Sequence, residues 1–258
     1  MNDPYANPRS LETGFRSRRF THVRREIEAV LARKERVRIL DIGGTRAYWT
    51  IADDLLAAHA GRIEIALVNL AAQPRAADGW PFRQVVADAC APDLMQGERF
   101  DLVHSNSVIE HVGDWQRTEA FAANVKRLGA RYFVQTPNYW FPLEPHFRLP
   151  GFQWLPRVAR IRLVRAMRCG FYPRIRDYGE ARRTVEEVRM LDAFEMRTLF
   201  PEARLERETV AGLTKSLMAI GDGAPVRRIP SSQTPALAPA LRETAPASAK
   251  RRGAAEAA

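Results

Sequence analysis

The sequence predicts an α/β fold in which a largely parallel sheet carries helices on both faces. Three observations predict it. Short apolar, β-branched runs alternate with amphipathic stretches from Val37 to Thr136, the pattern of consecutive βα units. The first run, VRILDIGGTRAY at Val37–Tyr48, ends in an acid and two glycines, residues that let a strand turn sharply into a helix. The last two runs are joined by Ala211-Gly212, a hairpin signal that reverses one strand.

The elements follow in order. From Phe15 to Arg36 the apolar residues Phe20, Val23, Ile27, Val30 and Leu31 recur at helical spacing among many charges, which predicts an amphipathic helix against the main domain. Strands are expected at Val37–Ile42, Ile63–Leu70, Phe82–Ala87, Phe100–Ser105 and Arg131–Thr136, with helices at Ala47–Ala58 and Trp115–Leu128. After Pro137 the pattern changes: Tyr139–Arg176 is rich in aromatics, prolines and arginines and reads as an insertion. A helix over Thr184–Phe200 carries the stripe Val185, Val188, Leu191, Phe194 and Leu199, and strands at Arg204–Val210 and Leu213–Ile220 close the sheet. Beyond Gly221 the chain is mostly Ala, Pro, Ser, Arg and Lys without periodicity, a composition expected to be disordered. The expected organisation is an N-terminal helix (1–36), a domain (37–220) with an insertion at 138–180, and a tail (221–258).

The 258 residues, 46% of them hydrophobic, suffice for one α/β core. No run approaches the roughly 20 apolar residues of a spanning helix, and the N-terminus lacks the basic start and apolar stretch of a secretory signal. Cys90 and Cys169 are too few for a disulfide framework. These features lead to the expectation of a cytoplasmic protein. The net charge of +10 favours anionic partners without choosing among nucleic acid, phosphorylated substrate and membrane surface.

In an open α/β sheet ligands bind beyond the carboxyl ends of the strands. After the first strand, Gly43 and Gly44 allow close approach of a ligand to the backbone, and Asp41 can accept from an ammonium group, which suits an amino-acid-like ligand better than a phosphate. A plain β-to-α turn capped by Thr45 accounts for the same residues. The later loops carry Asn69, Asp88-Ala89, FDLVHSNSVIEHV at Phe100–Val112 and VQTPNYWF at Val134–Phe141.

In this order and spacing, LDIGG, the ADA around Asp88, FDLVHSNSVIEHV, the TPN at Thr136–Asn138 and the terminal TKSLMAI resemble the class I S-adenosylmethionine-dependent methyltransferases. The resemblance runs from about Val37 to Ile220. It implies a Rossmann-like seven-stranded sheet whose last strand is antiparallel, with S-adenosylmethionine as cofactor. Asp41, Gly43 and Gly44 would then hold the methionine end, Asn69 the ribose, Asp88 and Ala89 the adenine, while Ser105 and Asn106 would line the methyl-donor side. Two residues depart from the family pattern. Thr45 stands where a small residue is usual, and Asn69 replaces the Asp or Glu that normally ends the second strand. A dinucleotide-binding dehydrogenase would need a G-x-G-x-x-G loop and that acid; the chain has neither.

His146, in Glu144-Pro145-His146 within the insertion, is the candidate catalytic base, since imidazole titrates near neutrality. A histidine that pins the proline-rich loop is the structural alternative. Glu110-His111 together with His146 offers three possible metal ligands. Ser107 stands where some metal-assisted methyltransferases carry a first glutamate, and no metal is expected. Eight arginines and no acid lie in 148–176, interleaved with apolar residues; such a segment can meet an anionic membrane or a lipid-linked or phosphorylated acceptor. The reading that emerges is methyl transfer to an oxygen of a small-molecule, glycan or lipid-linked acceptor. The alternatives are a degenerate fold serving as a scaffold, and an RNA methyltransferase, against which stands the lack of any recognised RNA-binding module.

Overall fold

The computed structural model describes residues 11–72 and 79–223. Seven strands form one sheet in the order β3-β2-β1-β4-β5-β7-β6: β1 (Val37–Ile42), β2 (Ile63–Asn69), β3 (Phe82–Val86), β4 (Phe100–Asn106), β5 (Gly129–Pro137), β6 (Arg204–Val210) and β7 (Leu213–Asp222). The first five are parallel, and β7 runs antiparallel between β5 and β6. This is the sheet the sequence predicts. The reversal is made at Ala211 and Gly212, both with positive φ (50° and 80°), as a two-residue hairpin turn with right-handed strand twist requires.

Helix α1 (Leu11–Leu31) buries the expected stripe of Phe20, Val23, Ile27, Val30 and Leu31 against Val37, Ile39, Leu102, Phe133 and Ile220. It ends earlier than the expected Arg36. Arg62 accounts for the stop: its guanidinium donates to the carbonyls of Leu31, Lys34 and Glu35, satisfying acceptors that a helix end leaves open. The opposite face is covered by α4 (Trp115–Leu128) and α7 (Ala193–Leu199), through Phe121, Val125, Leu128, Met196 and Leu199. Asp114 caps α4 by accepting from the Arg117 amide.

Two expected helices are broken. Ala47–Ala58 resolves into α2 (Arg46–Trp49), a 3₁₀ turn (Thr50–Ala52) and α3 (Asp53–Ala58). Tyr48 and Trp49 are both buried. Neighbours on a regular helix point 100° apart, and seating two adjacent aromatics inward goes with this tightened turn. Thr184–Phe200 resolves into α6 (Tyr178–Glu186) and α7, because Asp192 and Glu195 form a capping box that starts a new helix. Phe194, expected in the stripe, is 77% exposed.

The insertion builds a core of its own from Phe147, Phe152, Ile161, Val164, Cys169, Ile175, Ala181 and Val185, carried by α5 (Arg157–Ala166), α6 and the preceding loop. This core extends past the expected boundary at 180. The tail also begins later than expected, since β7 continues through Gly221 and Asp222; from 224 onward it lies outside the described residues.

Candidate active site

Register places the key side chains. In the β1–β4 pairing Asp41 lies opposite His104 and Ile42 opposite Ser105, so the polar strand ends align along one edge. Asp41 is fully buried. Its Oδ2 accepts from Trp49 Nε1 at 2.7 Å and its Oδ1 meets His104 Nδ1 at 2.6 Å. The Tyr48 hydroxyl meets His104 Nε2 at 3.1 Å, and the ring of Phe133 stacks on the imidazole at 5.6 Å. The buried carboxylate is thus compensated by two donors within the protein, as burial of a charge demands.

The glycines fit tightly around this group. A Cβ on Gly44 would stand 1.8 Å from Asp41 Oδ2, and one on Gly43, whose φ is +73°, would stand 2.4 Å from a methyl of Val108. No side chain can replace either without moving the loop. Thr45 is the N-cap of α2: its hydroxyl accepts from the Tyr48 amide at 3.1 Å. That capping role explains a threonine where a small residue is usual. Helix α2 is a single turn, too short to aim a row of aligned amides at a ligand.

Asn69 also acquires a reason. Its Nδ2 donates to the Gly44 carbonyl at 3.0 Å, which a carboxylate could not do. Its own carbonyl accepts from the Ala87 amide, tying the loops after β1, β2 and β3 in series. Asp88 follows. The Cys90 amide holds its carboxyl below the usual range, and the Arg117 guanidinium, with contacts at 2.9 and 3.0 Å, adds to this against a smaller cost of burial. Ala89 sits partly buried beside it, its carbonyl accepting from Asn124.

Asp41, Gly43, Gly44, Thr45, Tyr48, His104 and Asn106 line one small cavity of about 20 Å³, room for roughly one water. Asn106 contributes a buried Oδ1 without a hydrogen-bond partner. Ser105 does not belong to this group. It is fully buried and donates to the Ile42 carbonyl at 3.2 Å, joining β4 to β1 instead of lining an open side.

A second cluster forms where the loop after β4 meets the insertion. Glu110 and His111 stand on a 3₁₀ turn (Ile109–His111), and the insertion brings His146 beside them. Glu144, 2% exposed, holds His146 Nδ1 at 2.6 Å through Oε1 and accepts from the Phe147 amide through Oε2 at 2.5 Å. Burial alone would lower the His146 pKa. The Glu144 hydrogen bond and charge, with Glu110 behind them, outweigh it and raise the imidazole above its ordinary value. Burial pushes the Glu110 carboxyl up to about 7, against the pull of His146 and a hydrogen bond from Thr136. His111 keeps an exposed edge, yet lost hydration and the neighbouring His146 lower it to about 4. Ser107, at the position of the missing glutamate, adopts φ 57° and donates to Gln135 Oε1.

The sheet order, the glycine loop over a buried acid and the strand-end residues agree with one family. The chain matches the model of a methyltransferase domain over residues 15–208. It belongs to that family. S-adenosylmethionine is the cofactor that membership of this family implies, and the residues at the strand ends fit that group. A buried carboxylate and the orphaned Asn106 Oδ1 offer acceptors for an ammonium, while the cradle at Gly43 and Gly44 lets a ligand reach the backbone.

Among curated relatives, the uncharacterized protein Rv1509 of Mycobacterium tuberculosis is 37% identical over 70 residues, 27% of this chain and 24% of that protein. The matched stretch therefore spans about a quarter of the relative's length. Among solved structures, the DszA carbon methyltransferase superposes with a TM-score of 0.53 at 15% identity, covering 85% of this chain and 57% of that one. An O-methyltransferase family protein from Burkholderia thailandensis superposes at 0.46 with 11% identity, covering 84% and 60%. At such an identity the likeness to DszA concerns the fold alone. Among the described residues no helix is long and apolar enough to cross a membrane.

The strand ends and His146 were visible as candidates in the sequence; the role of Glu144 as its partner was not. Nor were the roles of His104, Tyr48, Trp49 and Arg117. The one available signal was a histidine at an inward strand position between Leu102 and Asn106, where burial obliges it to find a partner.

Proposed function

We propose that the methyltransferase transfers its methyl group to an oxygen of a small-molecule, glycan or lipid-linked acceptor held between the cofactor loops and the insertion. The observation that carries this reading is the pair Glu144–His146. With Nδ1 occupied by a buried carboxylate, the other imidazole nitrogen is left to take a proton from a hydroxyl as it becomes the nucleophile. S-adenosylmethionine supplies an electrophilic methyl on a sulfonium. The chain's contribution is to hold the acceptor in line with it, exclude water and receive the proton. Incubation with the cofactor carrying a ¹³C-methyl group and a panel of phenols, sugars and lipid-linked glycans tests the reading. The expected product shows its methyl carbon in the oxygen-bound region of the spectrum; label appearing only on nitrogen or carbon overturns it.

On the cofactor side, Asp41, Gly43, Gly44 and Asn106 would receive the methionine end, Asn69 Oδ1 a ribose hydroxyl, and Asp88 with Ala89 the adenine. Asn69 then has two tasks, one of which needs an amide. Asn69→Asp is therefore expected to weaken S-adenosylmethionine binding by roughly 10-fold, the loss of one hydrogen bond plus a carboxylate placed against the Gly44 carbonyl. Calorimetry reads this directly, and tighter binding in the variant would show that charge at the ribose outweighs the staple.

The acceptor class is supported by the surface of the insertion. Trp140 and Trp154 are 62% and 45% exposed with ring centroids 6.5 Å apart, a paired platform suited to a sugar or another apolar face. Leu155, Val158, Met167 and Phe171 are exposed among the arginines of 148–176, as a segment touching an anionic lipid surface would be. Trp140→Ala is expected to raise KM for the acceptor about 10-fold with kcat nearly unchanged. An equal fall in kcat and kcat/KM would place Trp140 in the chemistry instead. A lipid-linked acceptor further requires salt-sensitive sedimentation with anionic vesicles, and no sedimentation at low salt removes that branch.

A further inference from the structure

We infer that Glu110, His111 and His146 form a binding site for one divalent first-row metal cation, of the zinc type. One potential ligand atom from each of the three residues lies within 4.8 Å of the others. Tetrahedral bonds of roughly 2.0–2.2 Å place neighbouring ligand atoms roughly 3.3–3.6 Å apart. The remaining gap would be closed by a shift of the exposed His111 ring toward His146, whose own ring stays on Glu144.

The supporting shell is what distinguishes this cluster from a chance gathering. A ligating histidine characteristically gives its other ring nitrogen to a carboxylate or a backbone carbonyl, which fixes the ring and its tautomer. Here His146 Nδ1 is held by the Glu144 carboxylate at 2.6 Å. Glu110 is held in the same manner, with Thr136 Oγ1 donating to its Oε2 at 3.0 Å. His146 and Glu110 are thus each held by one atom and offer the other to a ligand, and His111 adds a ring nitrogen. For Glu110 that atom is Oε1, which is fully buried and has no hydrogen-bond partner. A buried carboxylate oxygen without a donor needs an explanation, and a cation between it and the two rings supplies one.

The donor set selects the cation. Two imidazoles and a carboxylate suit zinc, cobalt, manganese or iron(II), whereas magnesium and calcium take oxygen ligands. Three protein ligands also leave a position open, as catalytic zinc sites do. This use of the site deepens the reading under "Proposed function" and rests on it for the acceptor's identity. An ion held there would take the free nitrogen of His146 as a ligand, and would then replace the imidazole as the group that promotes loss of the hydroxyl proton, by lowering the pKa of an acceptor hydroxyl bound at the open position. The binding site itself does not depend on that reading.

The test uses the full chain, stripped with a chelator, dialysed and titrated calorimetrically with zinc chloride, then with cobalt(II) followed by visible absorption. One ion per chain is expected, with a cobalt spectrum of low coordination number. His111→Ala is expected to weaken binding at least 100-fold. Glu110→Gln, which keeps the shape and the Thr136 contact, is expected to weaken it similarly and guards against a folding defect in the first variant. Absence of saturable binding below about 1 mM zinc, or binding unchanged in both variants, overturns the proposal. The carbon spectrum of the methylated product is read separately, so a missing ion and a wrong acceptor atom give different results.

Discussion

His146→Ala is expected to lower kcat by roughly 10²- to 10⁴-fold, the contribution typical of a positioned general base. The expectation rests on the Glu144 carboxylate at 2.6 Å from His146 Nδ1, which raises the basicity of the ring and directs its other nitrogen away from Glu144. Cofactor affinity should stay within about 2-fold, because His146 is held by Glu144 and packs on the ring of His111, whereas the cofactor loop is organised around Asp41, Trp49 and His104. Steady-state kinetics with the identified acceptor and calorimetry with S-adenosylmethionine make the two measurements. A kcat within 3-fold of the parent would leave His146 as a loop pin. The same loss is expected whether the imidazole takes the proton or holds an ion, so zinc titration separates those two cases.

Asp41→Ala is expected to cost about 2–5 kcal/mol of folding stability, the range for removing the acceptor from two buried donors. Trp49 Nε1 and His104 Nδ1 would both lose their partner in a cluster closed by Phe20, Tyr48 and Phe133. For a total stability of roughly 5–15 kcal/mol this is a large fraction. Asp41→Asn should be milder by about 1–2 kcal/mol, since an amide can still accept from one donor and the imidazole can change tautomer. Urea unfolding monitored by tryptophan fluorescence orders the three proteins. A loss below about 1 kcal/mol for Asp41→Ala would contradict the view that this acid is first a structural residue. Gly44 adds a second check: a Cβ there meets the same carboxylate at 1.8 Å, so Gly44→Ala should disturb the loop even with Asp41 intact.

The two results bear on how the cofactor loop is read. From sequence, Asp41 suggests a free carboxylate for an ammonium group. In the fold its two oxygens already serve Trp49 and His104, so any ammonium meets an acid that is positioned and partly compensated. Asn69 and Thr45 look like departures from the family pattern and turn out to be bonded into the loop, one to the Gly44 carbonyl and one to the Tyr48 amide. Local capping and a three-loop relay explain both, and neither is visible until the loops after β1, β2 and β3 lie side by side.

Much of the fold was legible because its signals are local. The stripe of α1, the β-branched strands and the Ala211-Gly212 hairpin each depend on residues close in sequence. Such periodic and turn signals report which face is buried and where the chain reverses. The breaks at Thr50–Ala52 and before Asp192 were less legible, since burial of Tyr48 and Trp49 and the Asp192–Glu195 box override an apolar stripe that would otherwise continue.

By itself, then, the sequence determined the sheet, its reversed last strand and the order of the ligand-bearing loops, all through short-range pattern and spacing, and it marked His146 as a candidate base. Tertiary structure alone decided that Asp41 lies against His104, that Asn69 reaches back to Gly44, and that Glu110 meets a histidine 36 positions later in the chain. Those meetings depend on strand register and on how the insertion folds over the sheet edge. Hydrogen-bond partners and charge compensation in a buried site are properties of atoms a few ångströms apart, and the chain acquires them only when distant segments close around one another.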